Sequence, residues 1–306
     1  MHYALLDEVP HQARSLIHLS GPDTRRFVQG TISADVESMA DDVAVAAGLC
    51  TVKGKLISEV VAVCAGEDGM DLLVPSSTAD AVAESIDRHI IMDDVTVTAP
   101  VSTSLAVAWD TGEDAPPPVV EGADVRTFSG RHPGPGRLVV GVRDAVLAAV
   151  ASGTAVDAQG WAARRINTAT PAWGYEIQAD VFAPEVGFIY SVSFDKGCFM
   201  GQEPLARIHA RGQVNRVMVR VAIDGAPGDV PEPLVDDGGT EVGRLSTWAP
   251  GGKSLLGLAV VRRKVAAPGH VLRSGDRTVE VITPPLGDDP GLPTKKRAAT
   301  VKLGRR

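Results

Sequence analysis

The sequence predicts an α+β fold in which mixed antiparallel sheets are flanked by helices and a small β-barrel follows. Apolar runs with strand character alternate with short helical patterns over the first part of the chain. From Arg216 to about Thr283 the chain is rich in glycine and dense in strand signals, which is typical of a small barrel. With 306 residues, 44% of them hydrophobic, the chain can bury a core and form about two to three domains.

The composition also gives expectations about location and partners. Charged residues make up 22% of the chain, and no apolar run approaches the roughly 18 residues that a membrane span needs. The start of the chain lacks a basic region followed by an apolar stretch, so we expect no signal peptide and a cytoplasmic location. The net charge of −8 argues against direct DNA binding, because affinity for nucleic acid comes largely from neutralising phosphates. We expect a monomer without membrane contacts.

The first segment, predicted as residues 1–110, alternates strands and helices. Gly21-Pro22-Asp23 is expected to open a short helix that ends at Gly30. Ser77 is expected to cap a second helix through a capping box. Strands are predicted at 43–52, 59–64, 70–74, 94–99 and 105–109, with the turn Lys53-Gly54-Lys55 between the first two.

The second segment is predicted as residues 111–213 and the barrel as residues 214–283. A proline-rich loop over 110–122 precedes a predicted strand at 138–142 and helices at 143–151 and 157–167. We expect residues 284–306 to form a flexible tail. This tail is basic because it contains Lys295, Lys296, Arg297, Lys302, Arg305 and Arg306.

The most informative motif is Lys196-Gly197-Cys198-Phe199-Met200-Gly201-Gln202-Glu203. Two glycines allow backbone angles that other residues resist, so the motif is predicted to be a shaped loop. A cation such as Lys196 favours thiolate over thiol and would raise the reactivity of Cys198. The alternative is a glycine-rich turn around a buried, inert cysteine. Residue chemistry alone leaves both open.

The other two cysteines lie in apolar, strand-like runs. Cys50 and Cys64 are therefore predicted to be core residues. An odd number of cysteines without paired spacing argues against a disulfide framework. Neither a Cys-x-x-Cys nor a His-x-x-x-His pair occurs, so we expect no structural zinc site.

The motif around Cys198 matches K-G-C-[FY]-x-G-Q-E at every position. The chain therefore resembles the YgfZ-like proteins, the folate-binding branch of the glycine-cleavage T-protein (aminomethyltransferase) superfamily. Residues 19–24, 27–30 and 33–36 look like the N-terminal block of that superfamily, and residues 242–246 and 256–263 look like its C-terminal barrel. The resemblance implies a three-domain, ring-like arrangement, in which the first segment is of the folate-binding type and a folate site lies near the central opening.

The resemblance also implies a set of site residues. Cys198 would be the catalytic thiol and Lys196 its electrostatic partner, with the role of the thiol left open between nucleophile, redox group and transient metal ligand. No resident metal is expected. The cofactor, tetrahydrofolate or a derivative, would be contacted by Asp35, Gly201, Gln202, Glu203, Arg207 and Arg211. The alternatives are that Gln202, Glu203 and Arg207 organise the loop and that the arginines form a solvated charge cluster.

Three departures from the T-protein pattern argue against aminomethyl transfer. Ser58-Glu59 stands about where T-proteins have an Asp-Asp pair with the catalytic carboxylate. The stretch 129–136 lacks the glutamate that contacts the pterin in T-proteins. Arg165-Ile166-Asn167 replaces a frequent Arg-Ile-Glu. Because catalysis depends on sub-ångström placement, a longer glutamate at the first position is a poor substitute.

The leading hypothesis is therefore a folate-binding accessory protein of iron-sulfur cluster assembly or repair. Its partners would be iron-sulfur client proteins, including enzymes that thiolate tRNA, so that it would support tRNA modification indirectly. One alternative is a tetrahydrofolate-dependent one-carbon transferase, either an aminomethyltransferase or a demethylase. Another is a non-catalytic protein-binding scaffold. Whether the protein is an enzyme stays open at this point.

Overall fold

A computed structural model of the chain describes residues 1–110, 118–212, 214–225, 228–252 and 254–287. Its strands form a ten-stranded sheet and a closed six-stranded barrel. The strands of the large sheet are β1 His2–Leu5, β2 Arg14–Ser20, β3 Val43–Cys50, β4 Leu56–Cys64, β5 Gly69–Pro75, β6 Thr96–Val97, β7 Val101–Trp109, β8 Val125–Gly130, β9 Gly136–Gly141 and β10 Thr154–Ala155. Those of the barrel are β11 Arg216–Ile223, β12 Glu232–Val235, β13 Glu241–Pro250, β14 Leu255–Arg262, β15 Val271–Ser274 and β16 Arg277–Val281.

Helices pack against the sheet or the barrel. They are α1 Thr24–Thr31, α2 Ala79–Asp87, α3 Arg143–Val150, α4 Ala158–Thr168 and α5 Gln202–Arg211. Short 3-10 segments connect other elements at Leu6–Glu8, Ser76–Thr78, Ala183–Val186, Ile189–Ser191 and Arg263–Val265. Among the helices in the described ranges, none is long and apolar enough to cross a membrane.

The large sheet joins strands that are far apart in the sequence. Its order is β10-β1-β7-β9-β8-β3-β4-β5-β2-β6, and β7 also pairs with β2. Seven strands, from β2 through β5, β4, β3, β8, β9 and β7, therefore form a closed circuit of pairings. The circuit includes strands that precede residues 111–117 and strands that follow them. The division of the chain into domains stays a prediction.

An apolar cluster lies on one face of the strands of this circuit. A cluster that includes Val61, Leu73, Val107 and Leu138 draws on most of its strands, and Trp161 of α4 completes it at 1% exposure. Helices α1 and α2 pack on the outer face of β2, β4 and β5 in a second cluster. The barrel has its own core of valines and leucines. Burial of such side chains is the main force that holds these layers together.

The α+β fold is confirmed, and the structure shows a closed barrel within the predicted 214–283. Helices α3 and α4 lie where the sequence predicted them. Helix α1 does not end at Gly30 but continues to Thr31. The capping box at Ser77 is wrong, because α2 begins at Ala79 without a side-chain cap. The residue before it, Thr78, instead donates its hydroxyl to the Pro75 carbonyl.

Several other boundaries also differ from the prediction. The predicted strand 94–99 shrinks to β6, and β7 begins earlier, at Val101. Strand β8 was not predicted at all. Most of the predicted loop 110–122 and of the predicted tail 284–306 lies outside the described residues.

Candidate functional site

The loop around Cys198 sits between the 3-10 turn Ile189–Ser191 and helix α5. Cys198 is exposed, whereas the next residue, Phe199, is 6% exposed and packs in the core. The loop is fixed to helix α1 because the Met200 amide donates to the Gly30 carbonyl at 3.1 Å. The structure therefore presents the thiol at the surface on a loop with a buried anchor, and it excludes a buried cysteine at this position.

Gly201 brings the end of this loop against the turn between β3 and β4. Its φ of +82° is in the left-handed region that favours glycine. A Cβ added there would lie 2.5 Å from the Thr51 carbonyl oxygen and 2.9 Å from the Gly54 Cα. The Lys53-Gly54-Lys55 turn and the cysteine loop are thus in direct backbone contact, which only glycine permits.

Lys196 ties the loop to the N-terminal segment. Its ammonium donates to the Ile32 carbonyl at 2.8 Å and to the Ala34 carbonyl at 2.5 Å. Burial lowers the pKa of Lys196 to about 8, although the charges of Asp35 and Glu37 oppose the shift. The ammonium thus holds backbone oxygens, and its predicted electrostatic effect on Cys198 stays a prediction.

A pocket of about 250 Å³ lies beside this attachment. It is formed by the N-terminal segment, β3, the end of β8 and the turn that leads into the cysteine loop. Its lining residues are Ala34, Asp35, Val45, Ala46, Arg131, Tyr190, Val192 and Ser193. Of the predicted cofactor contacts, Asp35 lines this pocket.

The carboxylate of Asp35 is held in place by three hydrogen bonds. It accepts from the Gln29 amide at 3.0 Å, the Glu37 backbone N–H at 3.1 Å and the Ser38 hydroxyl at 3.2 Å. Burial raises the pKa of Asp35, but these bonds outweigh that effect and keep the pKa below its usual value. The pocket therefore contains a fixed anion that can accept hydrogen bonds from a ligand.

Arg131 supplies a cation to the same pocket. Its guanidinium lies 4.0 Å from the centre of the Tyr190 ring, within the range of cation–π contacts. The Tyr190 hydroxyl is 3.0 Å from Nδ1 of His132, which is buried. Burial raises the pKa of Tyr190. The phenol therefore stays neutral and gives Arg131 a rigid surface to stack on.

Behind this wall lies a fully buried charge cluster. Glu59 Oε2 is 3.0 Å from His132 Nε2, and Glu59 Oε1 is 2.6 Å from Arg14 Nη1. Burial raises the pKa of Glu59, but the charges and contacts of Arg14 and His132 reverse this and lower it to about 2. Glu59 is 0% exposed, so its carboxylate is compensated inside the protein and does not face solvent.

The remaining predicted cofactor contacts lie on helix α5 or at its start. Glu203 and Arg207 pair with each other at 2.7 Å, and both are exposed. Arg211 is exposed in the last turn of the same helix. Gly201, Gln202, Glu203, Arg207 and Arg211 are not among the lining residues of the 250 Å³ pocket. Their contact with a ligand stays a prediction.

A second buried ion pair links helix α4 to the barrel. Arg165 contacts Glu176 at 2.7 Å and also donates to the Thr247 hydroxyl of β13 at 2.7 Å. Glu176 thus supplies the carboxylate that pairs with Arg165, although Asn167 stands where the T-protein pattern often has a glutamate. This arrangement holds the two β systems together.

Comparisons with known proteins agree with this architecture. No protein-family model matches the sequence. The tRNA-modifying protein YgfZ of Sodalis glossinidius (strain morsitans) is 26% identical over 227 residues, which cover 68% of this chain and 69% of that protein. YgfZ of Serratia proteamaculans (strain 568) is 26% identical over 246 residues, covering 72% of each. The iron-sulfur cluster assembly factor IBA57 homolog, mitochondrial, of Mycosarcoma maydis is 27% identical over 70% of this chain and 56% of that protein.

A solved structure supports the fold. The glycine cleavage system aminomethyltransferase T from Bartonella henselae matches with a TM-score of 0.73 over 94% of this chain and 86% of that chain, at 13% identity. The chain is similar in sequence to YgfZ proteins over about 70% of its length and has the fold of a T-protein. The family resemblance expected from the motif around Cys198 is thereby confirmed.

Sequence reasoning missed four residues that build the pocket and its support. Arg14, Arg131, His132 and Tyr190 have no motif of their own. The departures at Glu59 and at 129–136 were the available signal, since each marked a position where the YgfZ-like chain differs from T-proteins. The structure shows that these two departures are in contact, because Glu59 pairs with His132.

Thiol chemistry tests the exposure of Cys198. We expect one of the 3 cysteines to react rapidly with a thiol reagent in the folded protein and all of them after denaturation. Burial raises the pKa of Cys50 to about 12, so this thiol is inaccessible to the reagent and also stays protonated and unreactive. The measurement is the number of reacted equivalents against time. Cys198→Ala should remove the fast phase, and a fast phase that survives in this variant would contradict the assignment.

Substitution of Glu59 tests the buried charge cluster. Glu59→Gln should lower the free energy of unfolding by about 3–5 kcal/mol at pH 7, because Arg14 loses its buried partner. The folded pKa of Glu59 is about 2 against 4.5 ordinarily, so its contribution is present above pH 4.5 and is lost as the pH falls toward 2. Urea denaturation at several pH values should show the difference from wild type shrinking below pH 4.5.

The matched control is Glu203→Gln, which removes a carboxylate that is 84% exposed. It should change the free energy of unfolding by less than about 1 kcal/mol at any pH. A Glu59→Gln protein as stable as this control at pH 7 would show that the buried cluster is not an ion-pair network.

Proposed function

We propose that this protein is an accessory factor of iron-sulfur cluster assembly or repair that binds a tetrahydrofolate species and uses the thiol of Cys198. One observation carries the proposal. Lys196, two residues before Cys198, is hydrogen-bonded to the backbone of Ile32 and Ala34, and Ala34 lines the pocket. These hydrogen bonds therefore join the loop that carries the exposed thiol to the segment that lines the candidate folate pocket.

The residues of the pocket suit a folate ring. A pterin presents N–H donors on its pyrimidine edge, and the fixed carboxylate of Asp35 can accept from them. Arg131, which lines the same pocket, can donate to a ring carbonyl. At about 250 Å³ the pocket is smaller than the roughly 300–1,000 Å³ of sites that enclose a whole drug-sized ligand. We therefore expect it to hold the ring, with the glutamate tail outside.

The relatives point to the process. The YgfZ proteins are described as tRNA-modifying and the IBA57 homolog as an iron-sulfur cluster assembly factor. Both descriptions fit a protein that serves iron-sulfur enzymes, since some of those enzymes thiolate tRNA. Thiolates are good ligands for iron-sulfur chemistry, and Cys198 is the exposed cysteine among the described residues. No direct contact with tRNA or DNA is part of this proposal.

Glu59 argues against the one-carbon transferase alternative. A general base works best with a pKa near the working pH, and the pKa of Glu59 is about 2. Its oxygens are also occupied by Arg14 and His132 in a site without solvent access. This carboxylate therefore supports the fold of the pocket and does not supply a base for aminomethyl transfer.

Calorimetric titration tests the folate half of the proposal. Tetrahydrofolate and 5-formyl-tetrahydrofolate should bind the wild type and Cys198→Ala with Kd values in the micromolar range, roughly −8 kcal/mol. Asp35→Asn should weaken binding at least tenfold, because a charged acceptor becomes an amide. Asp144→Asn, an exposed site on α3, is the matched control and should bind like wild type. Absence of binding in wild type at millimolar ligand would refute folate binding.

Complementation tests the thiol half. In cells that lack this protein, the wild type should restore the activity of an iron-sulfur enzyme that thiolates tRNA. Cys198→Ala should not, although it folds and binds folate normally. The scaffold alternative makes the opposite prediction, namely that Cys198→Ala restores activity in full. Aminomethyl transfer to tetrahydrofolate, assayed with the same purified proteins, should be absent.

A further inference from the structure

A second candidate binding site lies on the barrel and shares no residue with the folate pocket. Two adjoining pockets, of about 280 Å³ and about 810 Å³, both include Arg216 and Arg262 in their walls. We call them together the barrel pocket. The smaller part is also lined by Glu241, Val242, Gly243, Arg244 and Val260, and the larger part by Glu185, Val214, Asn215, Arg263 and Lys264.

The strand register forces like charges together in the smaller part. Arg216 of β11 and Arg262 of β14 are direct Cα partners in the antiparallel ladder. Arg244 of the adjacent strand β13 pairs with Val260, two residues before Arg262, so Arg244 is a diagonal neighbour of Arg262 across the two strands. Like charges placed directly opposite each other destabilise a sheet. Arg216 and Arg262 are exposed, so solvent screens part of their repulsion, and an anion bound among the three arginines would relieve the rest.

The protein does not supply that anion from its own side chains. Acidic residues outnumber basic ones by 38 to 30, yet Arg216, Arg244 and Arg262 form no ion pair with a carboxylate in the described ranges. Arg244 donates from Nη2 to the Glu176 carbonyl, while its buried Nε has no hydrogen-bond partner there. Burial lowers the pKa of Arg244; the charge of Glu176 opposes this and that of Arg216 adds to it.

The acidic residues of the barrel pocket leave its positive character intact. Glu241 lines the smaller part and is exposed. Glu185, in the larger part, accepts a hydrogen bond from the Phe182 backbone N–H. Lys264 is 3.8 Å from Asp236, which is a loose contact between partly exposed groups. The lining thus holds five basic residues against two acidic ones.

We propose that the barrel pocket binds a phosphate monoester of a small organic molecule. The phosphate would lie among Arg216, Arg244 and Arg262, and the organic part would occupy the larger part beside Arg263 and Lys264. A phosphate monoester carries a charge of about −1.5 to −2 and three acceptor oxygens, which suits a pocket lined by three arginines. A single carboxylate has one charge and is already satisfied by one arginine fork.

Calorimetry on the full-length protein tests this proposal, with AMP as the organic phosphate and inorganic phosphate as the minimal ion. Both should bind the wild type in a chloride buffer, AMP more tightly because it also fills the larger part. Adenosine, which lacks the phosphate, should not bind. A single-stranded RNA without terminal phosphates and a γ-linked triglutamate are the competing anions. Tighter binding of either one than of AMP would overturn the proposal in favour of a nucleic-acid backbone or a carboxylate.

The variant Arg216→Gln/Arg262→Gln separates a binding site from a general charge effect. It should weaken AMP binding at least tenfold, while its melting temperature without ligand should equal or exceed that of the wild type, because a repulsive pair is removed. Arg273→Gln, an exposed barrel arginine outside the pocket, is the matched control and should bind AMP like the wild type. Equal AMP affinity in the double variant, or no AMP binding by the wild type, would refute the proposal. Folate titration of the double variant should be unchanged, so failure here is distinct from failure of the folate proposal.

Discussion

The buried charge of Glu59 is the constraint on which the candidate folate pocket depends. A carboxylate that is 0% exposed must find its compensation inside the protein, since the desolvation cost of an isolated buried ion is several kcal/mol. Here the compensation comes from Arg14 on β2 and from His132 after β8. Because His132 also contacts Tyr190, on which Arg131 stacks, the same requirement fixes one wall of the pocket.

Local signals in the sequence predicted those parts of the fold that depend on local chemistry. The turn at 53–55 and helices α3 and α4 follow from glycine placement and apolar periodicity within short windows. The closure of the large sheet does not, because the β2–β7 and parallel β3–β8 pairings join residues far apart in the chain. Helix α5 was not predicted for a different reason, because its first residues belong to a glycine-containing motif that is typical of loops.

The residues of the candidate site also separate into those that local motifs predicted and those that they did not. Cys198 and Asp35 could be named from motifs, since each lies in a stretch with a recognisable pattern. Glu59 and 129–136 were recognised only as departures, and their partnership could not be predicted, because it depends on the approach of β4 to the loop after β8. Arg14 and Tyr190 carry no pattern at all. A residue that acts by compensating a buried charge is identified by its neighbours, and a single sequence does not contain them.

The glycines of the cysteine loop explain how an exposed thiol can be held accurately. A flexible loop would present Cys198 in many orientations, and ordering it on binding a client would cost free energy. Here the backbone of Gly201 lies against the Thr51–Gly54 turn, Met200 is bonded to Gly30, and Lys196 is bonded to Ile32 and Ala34. These contacts fix the residues on both sides of the thiol and leave the thiol itself free of the core. The ordering cost is thus met during folding, so the partner that we propose to approach Cys198 would not have to supply it.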